Sequence, residues 1–394
     1  MTAEPRTNGS GAPARKKRTS RELYAQLSVC GALALLIILL TQDILFRTPL
    51  RSLENSALDL RFQYRGPLPV SRDSLKVIML DINEASIKSL PHAYPWPRSY
   101  YAHVIRNLKR AGVRGIGIDV IFDQPDVDSA SNDADLINAI RQTGIVAVAG
   151  KTEIAEGQYV TKEQNYGNIF YNADSSIGIA YVPSDEEGEL RRYQPMTYDN
   201  FEHRFVPSLA FATLDKAYGL PARTSPENTP RYFAYNGIDI PKFDNSDMLV
   251  NYYGPDATFK HVPFADVLDD SSFKTTDEIE TGAEINLFDD PDIGYLQSAF
   301  FKDKIILIGS TMPEEKDLFT VPIGQGLKAG DNTMYGVEVH ANIIEDVLDH
   351  NFLYREPQWV DILAILIILT GTLLGITEIK RLKLPYHAMN EILG

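Results

Sequence analysis

The sequence predicts an α/β protein with a mixed, largely parallel sheet covered by helices, flanked by two transmembrane helices. Three observations predict this class. Four short, nearly continuous apolar runs occur in the chain, amphipathic helical patterns lie among them, and a long uncharged run stands near each end. Hydrophobic residues make up 44% of the 394 positions and charged residues 23%, which excludes disorder over most of the length.

Residues 1–22 form a basic tail. The stretch "PRTNGSGAPARKKRTSR" is poor in apolar residues and positively charged through Arg15, Lys16, Lys17, Arg18 and Arg21. Residues 23–46 hold the first span. "LYAQLSVCGALALLIILLTQ" carries no charge, and as a helix it covers about 30 Å, the thickness of a bilayer's hydrocarbon core. The following "TQDILFR" lacks a small-x-small cleavage pattern, so the run reads as an uncleaved anchor and not as a signal peptide.

The second span is placed at 358–379, around "ILAILIILTGTLLGIT". Its uncharged part covers only about 24 Å and must extend into its flanks, with Asp361 at headgroup depth and Trp359 as an interface anchor. Gly371 and Gly375 make a GxxxG that allows close helix–helix approach and points to a homodimer. Lys380, Arg381 and Lys383 open the short tail 380–394. Both runs carry their basic residues on the side away from the centre, so both termini are expected in the cytoplasm and residues 47–357 outside the membrane.

The outer segment has 29 basic and 47 acidic residues, a formal charge of −18, which disfavours nucleic acid as a partner. The one cysteine, Cys30, lies in the first apolar run, so the outer domain has no disulfide and depends on its core.

Within that segment "LKVIMLDI" (75–82), "RGIGIDVIF" (114–122), "GIVAVAG" (144–150) and "KIILIGS" (304–310) read as strands buried on both faces. Helices are expected at 98–112, where Tyr101, Val104, Ile105 and Leu108 share a face, at 131–140, at 207–219 and at 336–350. "GIAYV" (178–182) and "MLVNYY" (248–253) read as further strands. Residues 220–247 and 270–298 are polar and turn-rich, as in long surface loops.

In open α/β sheets ligands bind beyond the carboxyl ends of the strands. Parallel strands would bring Asp81, Asp119, Lys151 and Ser310 to that edge, with Asp317 and His340 reaching it from the following loop and helix. Asp81 and Asp119 are equally readable as carboxylates that cap a turn or pair with an arginine. "DQPDVDSASNDAD" lacks the spacing, glycine and terminal glutamate of a calcium loop, and reads as a solvated acidic stretch. "LIGSTMPEEKD" (307–317) puts glycine and hydroxyls after a strand, without the pattern of a phosphate loop. No G-x-S-x-G elbow, no HExxH and no close histidine pair is present, so the sequence assigns no catalytic residue, no metal and no cofactor. In "YPWPRSYYAHVI" (94–105), Pro97 restricts Trp96, and Arg98 opens a helix against the macrodipole. A partner such as Asp81 or Asp119 would offset that cost, making Trp96 a plug and Arg98 half of an ion pair. A ligand-binding arginine is the other reading.

Six segments in order resemble the CHASE2 domain, the extracytoplasmic sensory module of bacterial receptors. They are "ENSALDLRFQYRG", "VIMLDINEASI", "YPWPRSYYAHVIRNLKRAGVRGIGIDVIFDQPD", "GIAYVPSDEEGELRRYQP", "MLVNYYGP" and the stretch from "KIILIGSTMPEEKDLFTVPIG" to "YGVEVHANIIEDVL". The resemblance makes Trp96, Pro97, Arg98, Asp119, Asp185, Gly188, Arg191, Gly309, Asp317, Gly336, His340, Ala341 and Asn342 motif positions, none with an implied catalytic role. It implies a bacterial inner-membrane sensor of a small-molecule or ion signal. In such proteins further membrane helices usually lead to an adenylate or guanylate cyclase, a histidine kinase or a serine/threonine kinase. Only "RLKLPYHAMNEILG" follows Lys380, which leaves open a truncated receptor or a sensor acting through a separate effector. Two other functions stand beside it: an exported metal-assisted hydrolase using Asp81, Asp119 and Asp123, and an envelope protein docking a partner.

Overall fold

In a computed structural model the described residues are 20–41, 48–155, 158–160, 166–185, 187–200, 202–315, 317–324, 331–356 and 358–382, with side chains described in the first helix at 24 and 28–37 and in the last at 359–360 and 362–376. The chain divides into two compact units, Met1–Asn55 with Glu356–Gly394, and Ser56–Arg355. The first contains helix α1 (Ser20–Thr41) and the last helix, Gln358–Leu382, which pack against each other. Among the described residues no helix is long and apolar enough to cross a membrane. Gly371 and Gly375 face open space, so neither is a packing position against α1.

The second unit is built on one sheet. Helix α2 (Thr48–Arg65) leads into strand β1 (Val77–Ile82), α3 (Glu84–Ser89), α4 (Arg98–Arg110), β2 (Gly115–Asp119), α5 (Ala130–Thr143), β3 (Val146–Gly150) and β4 (Ile177–Ile179). After α6 (Leu209–Tyr218) come β5 (Lys260–Pro263), α7 (Phe264–Leu268), α8 (Thr276–Thr281), β6 (Ile305–Ser310) and α9 (Gly336–Asp349), and α10 is the terminal Gln358–Leu382. The six strands lie in the order β5-β1-β6-β2-β3-β4 and all run parallel. The sheet is thus purely parallel, and antiparallel pairing is confined to small separate sheets. Strand β6 arrives last and inserts between β1 and β2, so the first two strands are not neighbours. All six residues of β1 are buried, as a sheet covered on both faces requires. One apolar cluster gathers α4, α5 and α7 on one face; the other gathers α6 and α9.

Two expectations fail here. The "surface loop" 220–247 contains a three-stranded antiparallel sheet, Glu227–Asn228, Tyr232–Tyr235 and Ile238–Pro241, with Phe233, Tyr235 and Ile240 buried. Its hairpin turns at Asn236 and Gly237, both at positive φ, the geometry that an Asn-Gly pair adopts most readily. In "MLVNYY" only Met248–Leu249 is strand, paired with Arg192–Tyr193. Beyond it the backbone runs beside α9 and bonds to side chains: Asn251 N–H donates to Asp346 (3.0 Å) and Tyr253 N–H to Asn342 (2.9 Å).

Candidate functional site

The carboxyl edge of the sheet places two carboxyls on either side of a glycine. Asp81 on β1 is in register with Gly309 on β6, and Gly309 with Asp119 on β2. Register partners in parallel strands point to the same face, here the face covered by α9. Gly309 leaves room for that helix: a Cβ there would lie 2.7 Å from the Val337 side chain. Gly336, the first residue of α9, is as tightly confined, since a Cβ would meet the Asp317 carboxyl at 2.5 Å. The N-terminal turn of α9 therefore sits over the centre of the row, with one acid–histidine group on each flank.

On the β5 side, His261 Nδ1 lies 2.9 and 3.0 Å from the two Asp81 oxygens, and its Nε2 is 3.9 Å from Glu338 on α9. Glu338 is fully buried and accepts the backbone N–H groups of Ala257 and Thr258, each at 2.9 Å. Burial disfavours the charged ring of His261, but the Asp81 hydrogen bond and charge, with Glu338 and Asp256 nearby, outweigh it and hold its pKa above the ordinary value. Burial pushes the Glu338 carboxyl up to about 8, against the opposing pull of His261.

On the β2 side, Asp119 is partly buried and its carboxyl is pushed well up, first by desolvation and then by the facing Asp317. Asp317 is raised as well, again mainly by burial. His340 is 1% exposed, and burial lowers its pKa to about 4, so the ring is neutral. Its Nε2 is 3.2 Å from the Ala180 carbonyl, which can only accept, so Nε2 carries the proton and Nδ1 accepts from the Tyr193 hydroxyl at 2.7 Å. Asp119 stands 4.0 Å from Nε2, beyond hydrogen-bond reach. Ser310 ends β6, where its Oγ accepts the Met312 N–H at 3.2 Å, and Lys151 ends just past β3 with Nζ 4.0 Å from Asp123.

Trp96 and Arg98 lie on the other face, with α4. Trp96 is buried and stacks on Phe264 at 4.9 Å, with Tyr94 edge-on, which is the plug. The ion pair expected of Arg98 is absent. Its guanidinium lies 4.5 Å over the Phe122 ring, its Nε has no hydrogen-bond partner, and neither Asp81 nor Asp119 pairs with it. The N-terminus of α4 is instead satisfied by Asp126, whose carboxylate accepts the Arg98 N–H at 2.7 Å. Asp126 also accepts from Asp128 N–H, Ser129 N–H and the Asn132 amide, so it organises the acidic loop while Asp123 and Asp128 stay exposed.

Two pairings escaped the sequence reading, although Arg191 itself stood among the motif positions of the resemblance. His261 sits in "KHVPF", where nothing local marks it as the partner of Asp81. Arg191, 2% exposed, forms ion pairs with Asp59, Asp185, Glu187 and Glu189. The crowding of carboxylates in "SDEEGELRR" was the available signal for it.

Among the described residues no group of three or more His, Cys, Asp or Glu side chains is arranged to hold a metal ion. Asp119 is turned toward its neutral state and Asp123 pairs with Lys151 at long range, so the three aspartates of the hydrolase reading form no donor set. The site is a parallel α/β edge where a buried helix N-terminus meets proton-holding acids and histidines.

The family model of the CHASE2 domain matches residues 32–377, and the chain belongs to that family. CHASE2 domains are extracellular sensory domains. No curated protein and no solved structure matches this chain.

Proposed function

We propose that the chain is a membrane-anchored extracytoplasmic sensor that relays a signal to a cyclase or kinase effector on the cytoplasmic side. The observation that carries this reading is the extent of the family match, which begins inside the first apolar run and ends at the close of the second. In this reading the uncharged stretches 23–42 and 362–377 of the sequence are the two anchors, with both termini in the cytoplasm of a bacterial cell. The open flank of Gly371 and Gly375 is the surface for a second copy of the chain.

A signal acts only through its differential affinity for two states of the protein. The row Asp81–Gly309–Asp119 and the facing Glu338, His340 and Asp317 form the element to be biased, because α9 rests on it and eight residues, 350–357, connect α9 to α10. Arg98 and Ser310 are the polar groups beside this edge.

The test is accessibility in intact cells. In a Cys30→Ser background, Asp128→Cys should react with a membrane-impermeant maleimide and Ser10→Cys should not. Labelling of residue 10 with protection of residue 128 overturns the receptor reading.

A further inference from the structure

The chain leaves β1 and β2 for helices on one face of the sheet, α4 and α5, and leaves β6, which lies between those strands, for α9 on the other face. The connections therefore part beyond the carboxyl end of β6. Such a switch point is where open α/β sheets hold ligands. On the α4 side of this crevice the fold leaves three polar groups unused.

Arg98 is the first. Its guanidinium lies 4.5 Å over the ring of Phe122, which is itself fully buried, and makes no hydrogen bond or ion pair with any described residue. Other half-buried arginines are engaged: Arg106 with Asp135, Arg114 with the Ala217 carbonyl and Arg223 with Glu202. Only the Nε of Arg98 is closed off, so its two terminal nitrogens keep accessible surface.

Tyr101 is the second. It is 1% exposed, and its ring meets Phe122 edge-on at 5.2 Å. Its hydroxyl makes no hydrogen bond among the described residues, yet it is not sealed from the surface. The groups within electrostatic range of that hydroxyl are Tyr94, Arg98 and Glu315, which fixes where it points. Tyr94 is the third: half-buried, its hydroxyl without a hydrogen bond, and in range of the same Arg98 and Glu315. Glu315 is exposed on the turn after β6 and does not pair with Arg98.

A guanidinium and two hydroxyls that share one place and lack an acceptor call for an anion. The planar fork of an arginine matches the two oxygens of a carboxylate, and hydroxyls can donate to the lone pairs that remain. One cation balances one negative charge, whereas a dianion such as phosphate would face Glu315 uncompensated. Met312 and the Tyr94 ring, both packed against the same apolar cluster, offer a wall for the body of the ligand.

We infer that this crevice binds the carboxylate of a small organic acid, with Arg98 as its principal partner and Tyr94 and Tyr101 as donors to the same group. The inference rests on the sensory reading and deepens it by naming a class of signal. Binding to the solubilised chain and topology in cells are measured separately, so either can fail while the other stands.

Saturation-transfer NMR on the full chain in detergent at pH 7, with benzoate as probe and benzamide as its uncharged counterpart, tests this. The expected result is saturable binding of benzoate and none of benzamide. Affinity should fall at least tenfold in Arg98→Gln and stay unchanged in Arg61→Gln, an exposed arginine on α2. Tyr101→Phe removes one hydroxyl and keeps the buried ring; it should weaken binding severalfold, and it keeps the test intact where Arg98→Gln does not fold. No saturable binding, equal binding of benzamide, unchanged affinity in either folded variant, or displacement of benzoate by equimolar inorganic phosphate overturns the inference.

Discussion

The imidazole of His261 straddles the carboxylate of Asp81, with Nδ1 2.9 Å from one oxygen and 3.0 Å from the other, tying edge strand β5 to β1. Asp81 is therefore the main reason the ring holds its proton despite burial. A raised histidine pKa stabilises the fold fully below the unfolded value of about 6.5, and that contribution is lost as pH rises through the folded pKa. In Asp81→Asn the burial penalty is left unopposed by its main partner, and the His261 midpoint should fall, read by NMR titration of the ring. An unchanged midpoint would remove Asp81 as the cause.

His340 has the opposite sign. With its folded pKa lowered to about 4, the unfolded chain binds the extra proton between that value and 6.5. Its contribution is present above the unfolded pKa and is lost as pH falls. The shift corresponds to about 3 kcal/mol. His340→Gln keeps an acceptor for Tyr193 and a donor for Ala180 but does not titrate. The stability difference between wild type and this variant, from urea melts, should narrow by about that amount from pH 7 to pH 4. Parallel curves would contradict it.

Gly309→Ala should destabilise the protein by about 1–3 kcal/mol, because the new methyl overlaps Val337 in a tightly packed layer. Adding Val337→Ala should make the same change milder. The comparison of the four proteins by denaturant titration isolates the contact, and purely additive costs would show that the clash is relieved elsewhere.

Arg191→Met leaves Asp59 and Asp185 facing each other with no cation between them. Removing one partner of a buried ion pair costs about 3–5 kcal/mol. The deficit should shrink toward pH 4 as the orphaned carboxylates take up protons, which thermal melts across pH would follow. A pH-independent deficit would mean lost packing and not lost charge.

Local pattern alone revealed the four central strands and the principal helices of the unit Ser56–Arg355, because burial on both faces of a sheet demands continuous apolar runs. It also carried a missed signal: "YFAYNGIDIP" is a hairpin sequence, and the polar residues around it hid the alternation. The charges of α9 give no local sign of their burial. Glu338, Glu345 and Asp346 look like a solvent face, yet all three are buried and accept backbone N–H groups of segments 76–77 and 251–258.

The sequence by itself determined the alternation of strands and helices, the two apolar runs near the ends, the acidic central segment and the family. Only the tertiary structure decided that β6 inserts between β1 and β2, that Asp81 and Asp119 flank Gly309, and that neither of these two aspartates pairs with Arg98. The reason is that periodicity reports which way a side chain faces within its own element. Register between strands distant along the chain, and the partner of a buried charge, are set by packing of the whole.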